Sequence, residues 1–83
     1  MSERVHLAGR YKIMNESILR EKAGRENDPR HIFYEAMLEN NSYAAYLAEV
    51  GQTLVNVEGY KANPISGRME ILYARKYRWV VDA

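Results

Sequence analysis

Caps and breakers divide this chain into segments too short for anything but small elements. Gly24, Asp28-Pro29, Asn40-Asn41-Ser42, Gly51, Gly59 and Asn63-Pro64 interrupt it at intervals of one or two dozen residues or fewer. Asn15 is a good N-cap type, Glu16 stands in the following turn and Lys22 near its end, so 15–24 reads as a short surface helix. Gly24 is placed to stop it in the left-handed conformation. Asp28-Pro29 matches a cap followed by a first helical position, with Ile32, Phe33, Ala36 and Met37 on one stripe. Asn40 to Ser42 then interrupts. Ser42 caps a second helix with Tyr43, Tyr46, Leu47 and Val50 along its apolar edge, and Gly51 is its stop. An unbroken helix across 29–50 is the alternative.

Two stretches favour strands. In 4–13, Val5, Leu7, Tyr11 and Ile13 alternate with Arg4, His6, Arg10 and Lys12, the period of a half-buried strand or hairpin arm, and Gly9 marks a bulge. In 52–58, Leu54, Val55 and Val57 favour a strand by propensity, with a short third helix as the alternative.

The segment from Asn63-Pro64 to Ala83 fits two templates. As a helix over 64–80 it places Ile65, Met69, Leu72, Tyr73 and Val80 on one arc, and Arg68, Arg75 and Arg78 on an adjoining polar arc with Ile71. As a strand it alternates Met69, Ile71, Tyr73, Tyr77 and Trp79, with Arg75 as the intruder. The run is long for one strand, so helix is the reading taken. The expected fold is a mainly α single domain over 1–83, with three to four short helices. A short β hairpin or N-terminal strand is added, which makes α+β the alternative class.

Composition narrows the function classes. Eighty-three residues bury a small core. Apolar residues make up 47% of the chain and charged residues 28%, and there is no Cys, which excludes disulfide frameworks and thiol chemistry. No apolar run approaches the roughly 20 residues of a membrane span, and the N-terminal stretch has no signal-peptide apolar region. The expectation is a cytoplasmic protein without membrane contact. No nucleophile elbow, phosphate-binding Gly loop or dinucleotide fingerprint occurs. His31 and Glu35 sit at (i, i+4), but two ligands without a third make an ordinary helix pair, not a metal site. A non-enzyme is expected, with no cofactor, metal or small-molecule substrate.

Net charge is only +1, but its distribution is uneven. Residues 28–59 carry one basic and five acidic groups, and 60–83 carry five basic and two acidic. The run Tyr73-Ala74-Arg75-Lys76-Tyr77-Arg78-Trp79 interleaves cations with aromatic rings. Arg and Lys meet phosphates, and Tyr and Trp offer stacking faces. The expected function is therefore a small nucleic-acid-binding or regulatory protein. Lys61, Arg68, Arg75, Lys76 and Arg78 would meet phosphate, and Tyr77 would stack or hydrogen-bond. The alternative is a protein-binding module, a small inhibitor or adaptor, whose working face is the acidic middle with Tyr34, Glu35, Glu39, Tyr43 and Tyr46. Pairing that middle with the basic tail of a second copy would give a homodimer.

A further pattern covers 43–60. Ser42 stands as a cap, Gly51 at a turn and Thr53 as the opening of a second helix, with Val50, Val57 and Tyr60 at apolar positions. This stretch resembles the helix-turn-helix motif of DNA-binding regulators, from which it departs at Leu47 and Gln52. The resemblance implies a helix beginning at Thr53. Asn56 and Glu58 give that helix little positive charge, so the C-terminal segment is the better candidate to meet DNA.

Overall fold

The computed structural model describes residues 7–59 and 64–83. The chain is mainly helical with two small antiparallel strand pairs. Strand β1 (Tyr11–Ile13) leads into helix α1 (Glu16–Ala23) and helix α2 (His31–Glu39). Helix α3 (Tyr43–Tyr46) continues as one π turn over Leu47–Gly51. Strands β2 (Leu54–Val55) and β3 (Ile65–Ser66) precede helix α4 (Gly67–Lys76) and strand β4 (Val80–Asp82). β1 pairs with β4 in the register Tyr11↔Asp82, Lys12↔Val81 and Ile13↔Val80, and β2 pairs with β3 through Leu54↔Ser66 and Val55↔Ile65. The free flank of β1 is stitched to the α2–α3 break, where the Tyr11 N–H donates to the Asn41 carbonyl at 3.0 Å and the Tyr43 N–H to Gly9 at 3.1 Å.

Local signals set most helix starts. The Asn15 side chain accepts from the Ile18 N–H and the Ser42 hydroxyl from the Ala45 N–H, each at 3.2 Å. Asp28 works from just outside α2. Its carboxylate accepts from the Arg30 N–H at 3.0 Å and holds the Arg30 guanidinium at 2.8 Å. That guanidinium keeps the Asp28 carboxyl below its ordinary range. The helix proper begins at His31, two residues later than the Asp-Pro signal alone suggests.

Four expectations are corrected. Gly24 ends α1 in right-handed backbone, at φ −81°, with its N–H still donating to Arg20 and Glu21 carbonyls. No helix opens at Thr53: Leu54 and Val55 extend and pair with β3, so the helix-turn-helix resemblance is not carried into the fold. The C-terminal helix does not span 64–80, because it is capped by Ser66, stops at Lys76 and yields to β4. Its buried face is also not the expected one. Gly67, Glu70, Ile71 and Ala74 face the core, while Met69 and Tyr73 are 54% and 44% exposed. Two residues set that rotation: Gly67, whose lack of a side chain lets it fit closely against Val50, and Glu70, which reaches the Tyr34 hydroxyl.

The core is built on tyrosine. Tyr11, Tyr34, Tyr43 and Tyr46 are buried together with Leu19, Phe33, Met37, Ile71 and Val80. Each phenol donates to a distant segment: Tyr11 to the Met37 carbonyl, Tyr34 to Glu70, Tyr43 to Asp82 and Tyr46 to the Gly67 carbonyl. A buried ring with a polar tip thus supplies both apolar area and a directional tie. Glu70, 5% exposed, depends on one of these ties. Tyr34→Phe keeps the ring but leaves the carboxylate without that donor. We expect a loss of about 2 kcal/mol in urea unfolding, within the range for an orphaned buried polar group. A loss below about 0.5 kcal/mol would show that Glu70 finds another partner.

Candidate nucleic-acid interface

Helix α4 ends in a hydrogen-bond pattern that normally calls for glycine. The Trp79 N–H donates to the Ala74 carbonyl at 2.9 Å and the Arg78 N–H to Arg75 at 3.0 Å. These two bonds form a Schellman cap, in which Arg78 occupies the left-handed position. Its φ is +60°, the one positive φ among the described non-glycine residues. The cap turns the chain sharply. Trp79 then docks beneath the β1–α1 junction, where its carbonyl accepts from the Met14 and Asn15 N–H groups at 2.8 and 3.1 Å.

This turn gathers three rings. Tyr73 and Tyr77, one helical turn apart, have centroids 4.6 Å apart. Tyr77 stacks on Trp79 at 5.6 Å and 26°, and Tyr73 meets the Trp79 edge at 5.5 Å and 74°. Tyr77 is 50% exposed. Two ammonium groups lie over the cluster: Lys76 at 5.8 Å from the Tyr77 centroid, and Lys22 of α1 at 5.3 Å from Trp79 and 5.6 Å from Tyr34. Arg78, between Tyr77 and Trp79 in the chain, is exposed and lines a groove with Arg75 and Asp82. Among the described residues, Lys22, Lys76 and Arg78 form no ion pair, whereas Arg20, Arg25, Arg30 and Arg75 are each matched to a carboxylate.

The expected phosphate contacts are therefore only partly brought together. Lys76, Tyr77 and Arg78 lie side by side at the end of α4. Arg68 is exposed in the first turn. Arg75, on the same helical face as Arg68, pairs with Asp82 at 3.2 Å and lies over the Tyr43 ring at 5.7 Å. Arg78 stands past the helix end, so the three arginines do not share one helical rod. Lys61 lies outside the described residues. An open groove of about 220 Å³ runs along Arg75, Arg78, Val80, Val81 and Asp82, smaller than the roughly 300–1,000 Å³ typical of small-molecule sites.

The acidic middle is organised differently from the protein-docking expectation. Tyr34, Tyr43 and Tyr46 are core rings, packed among apolar side chains and each tied by its hydroxyl to a partner across the molecule. Glu35 and Glu39 are exposed on α2, with Glu35 3.5 Å from His31. That face presents carboxylates without the expected tyrosines. Lys22, in turn, is missed by sequence reasoning, which assigns it only to the end of its helix. Nothing local links it to Trp79, 57 positions away.

Together these features define a small, mainly α domain with a cationic aromatic platform at one helix end. Comparisons with protein-family models, curated proteins and solved structures return no match to this chain. No helix among the described residues is long and apolar enough to cross a membrane.

Proposed function

We propose that this is a small non-catalytic protein that binds nucleic acid through the platform of Tyr73, Tyr77, Trp79, Lys22, Lys76 and Arg78. The observation that carries this reading is Arg78. An arginine in left-handed backbone costs on the order of 1 kcal/mol relative to the glycine that the cap would otherwise hold. The turn keeps an exposed arginine there, between Tyr77 and Trp79 in the chain, at the expense of stability. Strain of this kind is concentrated at working sites. Lys22 and Lys76, which form no ion pair among the described residues, supply two further positive charges for phosphate.

Arg78→Gly separates the two roles. The variant is expected to be more stable by about 0.5–1 kcal/mol in urea unfolding, because glycine relieves the left-handed strain. Its affinity for nucleic acid should fall, and the slope of log affinity against log salt should flatten by about one phosphate contact. Fluorescence anisotropy at low and moderate salt measures both. Wild-type protein that binds neither single-stranded nor duplex DNA at low salt would overturn the proposal.

A further inference from the structure

We infer that the nucleic acid this surface takes is single-stranded, with an unpaired base stacked on Tyr77. This inference rests on the nucleic-acid reading above and makes it more specific. The cations alone would suit any phosphate backbone, since phosphate contacts position a protein without reading the bases. The rings discriminate. A duplex keeps its base faces inside the stack, so an exposed aromatic platform has nothing in it to stack upon. An unpaired strand offers a face at every base.

The geometry matches that requirement. Tyr77 is half exposed, stacks on Trp79 at 26°, and is flanked by Tyr73. A base added to Tyr77 would extend an existing stack. Lys22 and Lys76 lie over the rings, Arg78 is exposed between Tyr77 and Trp79 in the chain, and among the described residues none of the three forms an ion pair. Other occupants fit less well. Protein interfaces are enriched in Tyr, Trp and Arg but depleted in Lys, and here two lysines lie over the rings. A caged quaternary ammonium would need space between the rings, but their centroids are 4.6–5.6 Å apart.

The test uses the full chain with a labelled oligothymidylate of about 12 nucleotides, within the roughly 4–16 spanned by single-strand sites, and a duplex of equal length. The wild-type protein should bind the single strand at least about tenfold more tightly than the duplex. Tyr77→Ala should weaken single-strand binding about tenfold, as expected for one lost base stack, while changing duplex binding less than about twofold. Tyr77→Phe, which keeps the ring, should bind the single strand like wild type. Circular dichroism melts check that both variants fold. Duplex binding as tight as single-strand binding would overturn the inference and leave nucleic-acid binding standing. So would a Tyr77→Ala variant with undiminished single-strand affinity, or a Tyr77→Phe variant that loses it. Wild-type binding to neither form is a different result, because it removes the nucleic-acid reading itself.

Discussion

Gly67→Ala is expected to destabilise the protein by about 3 kcal/mol, the upper end for overpacking a tight contact, and to lower the melting temperature by more than about 10 °C. A Cβ at this position would lie 2.1 Å from the Val50 carbonyl oxygen, 2.7 Å from its carbon and 3.1 Å from the Val50 side chain. The obstacle is backbone and cannot rotate away. Val50 belongs to the π turn, and its carbonyl is already fixed by the Thr53 N–H at 3.1 Å. Gly67 is held from its own side as well: its N–H donates to Thr53 at 3.2 Å and its carbonyl accepts from Tyr46 at 2.7 Å. Making room for one methyl group therefore means moving the start of α4 or the end of the α3 π turn, and either movement strains the Tyr46 tie. Gly24→Ala serves as the contrast. Gly24 has right-handed backbone, and its nearest non-neighbour atom would lie at 3.4 Å, so alanine there should be close to neutral. Urea unfolding of both variants decides the matter. A Gly67→Ala loss below about 1 kcal/mol would mean that the π turn yields easily.

Gly67 also shows what could and could not be read from the sequence. Signals acting over three or four residues were legible. The Asn15 and Ser42 caps and the break at Asn40 to Ser42 depend on side chains meeting nearby backbone, and the helix end near Gly51 is a local breaker. The rotation of α4 was not legible. Ranking its residues by hydrophobicity turns Met69 and Tyr73 inward, whereas the structure turns inward a glycine, a glutamate, an isoleucine and an alanine. Those four face the core because Gly67 permits backbone approach to Val50 and Glu70 meets Tyr34 from 36 positions away. The binding platform divides in the same way. Tyr77, Lys76 and Arg78 are adjacent in the chain and were recognisable as a cluster. Lys22 joins them only through tertiary packing, and Arg75 is drawn off to Asp82 because β4 returns alongside β1. The left-handed stop is likewise a tertiary outcome: it falls on Arg78 instead of Gly24, since the chain must turn there to place Trp79 under the β1–α1 junction.

The tyrosine core gives the protein an alkaline limit. Burial raises the phenol pKa of Tyr11, Tyr34, Tyr43 and Tyr46, and hydrogen bonds to carboxylates add to the effect at Tyr34 and Tyr43. Tyr43 is pushed up to about 12, and the other three lie higher. In the unfolded chain all four ionise near their ordinary value of 10.0. Above that pH the unfolded state sheds protons that the folded state retains, so stability falls as pH rises. The contribution is complete below about pH 10 and is lost as pH climbs toward and through the folded-state values. Each proton contributes about 1.4 kcal/mol per pH unit once its unfolded-state phenol is ionised, so four together approach about 5 kcal/mol per unit. A chain of this length has a total stability of about 4–12 kcal/mol, and unfolding is therefore expected between about pH 10.5 and 12. Followed together, the share of phenolate absorbance due to the four buried tyrosines should appear in one step with the loss of circular dichroism, these phenols ionising only as helix is lost. Tyr46→Phe removes one of the four protons and should reduce the slope of stability against pH by about a quarter. Phenols that titrate fully while the helices persist would mean that water reaches these rings in the folded state, and the core would then be far looser than its hydrogen-bonded tyrosines imply.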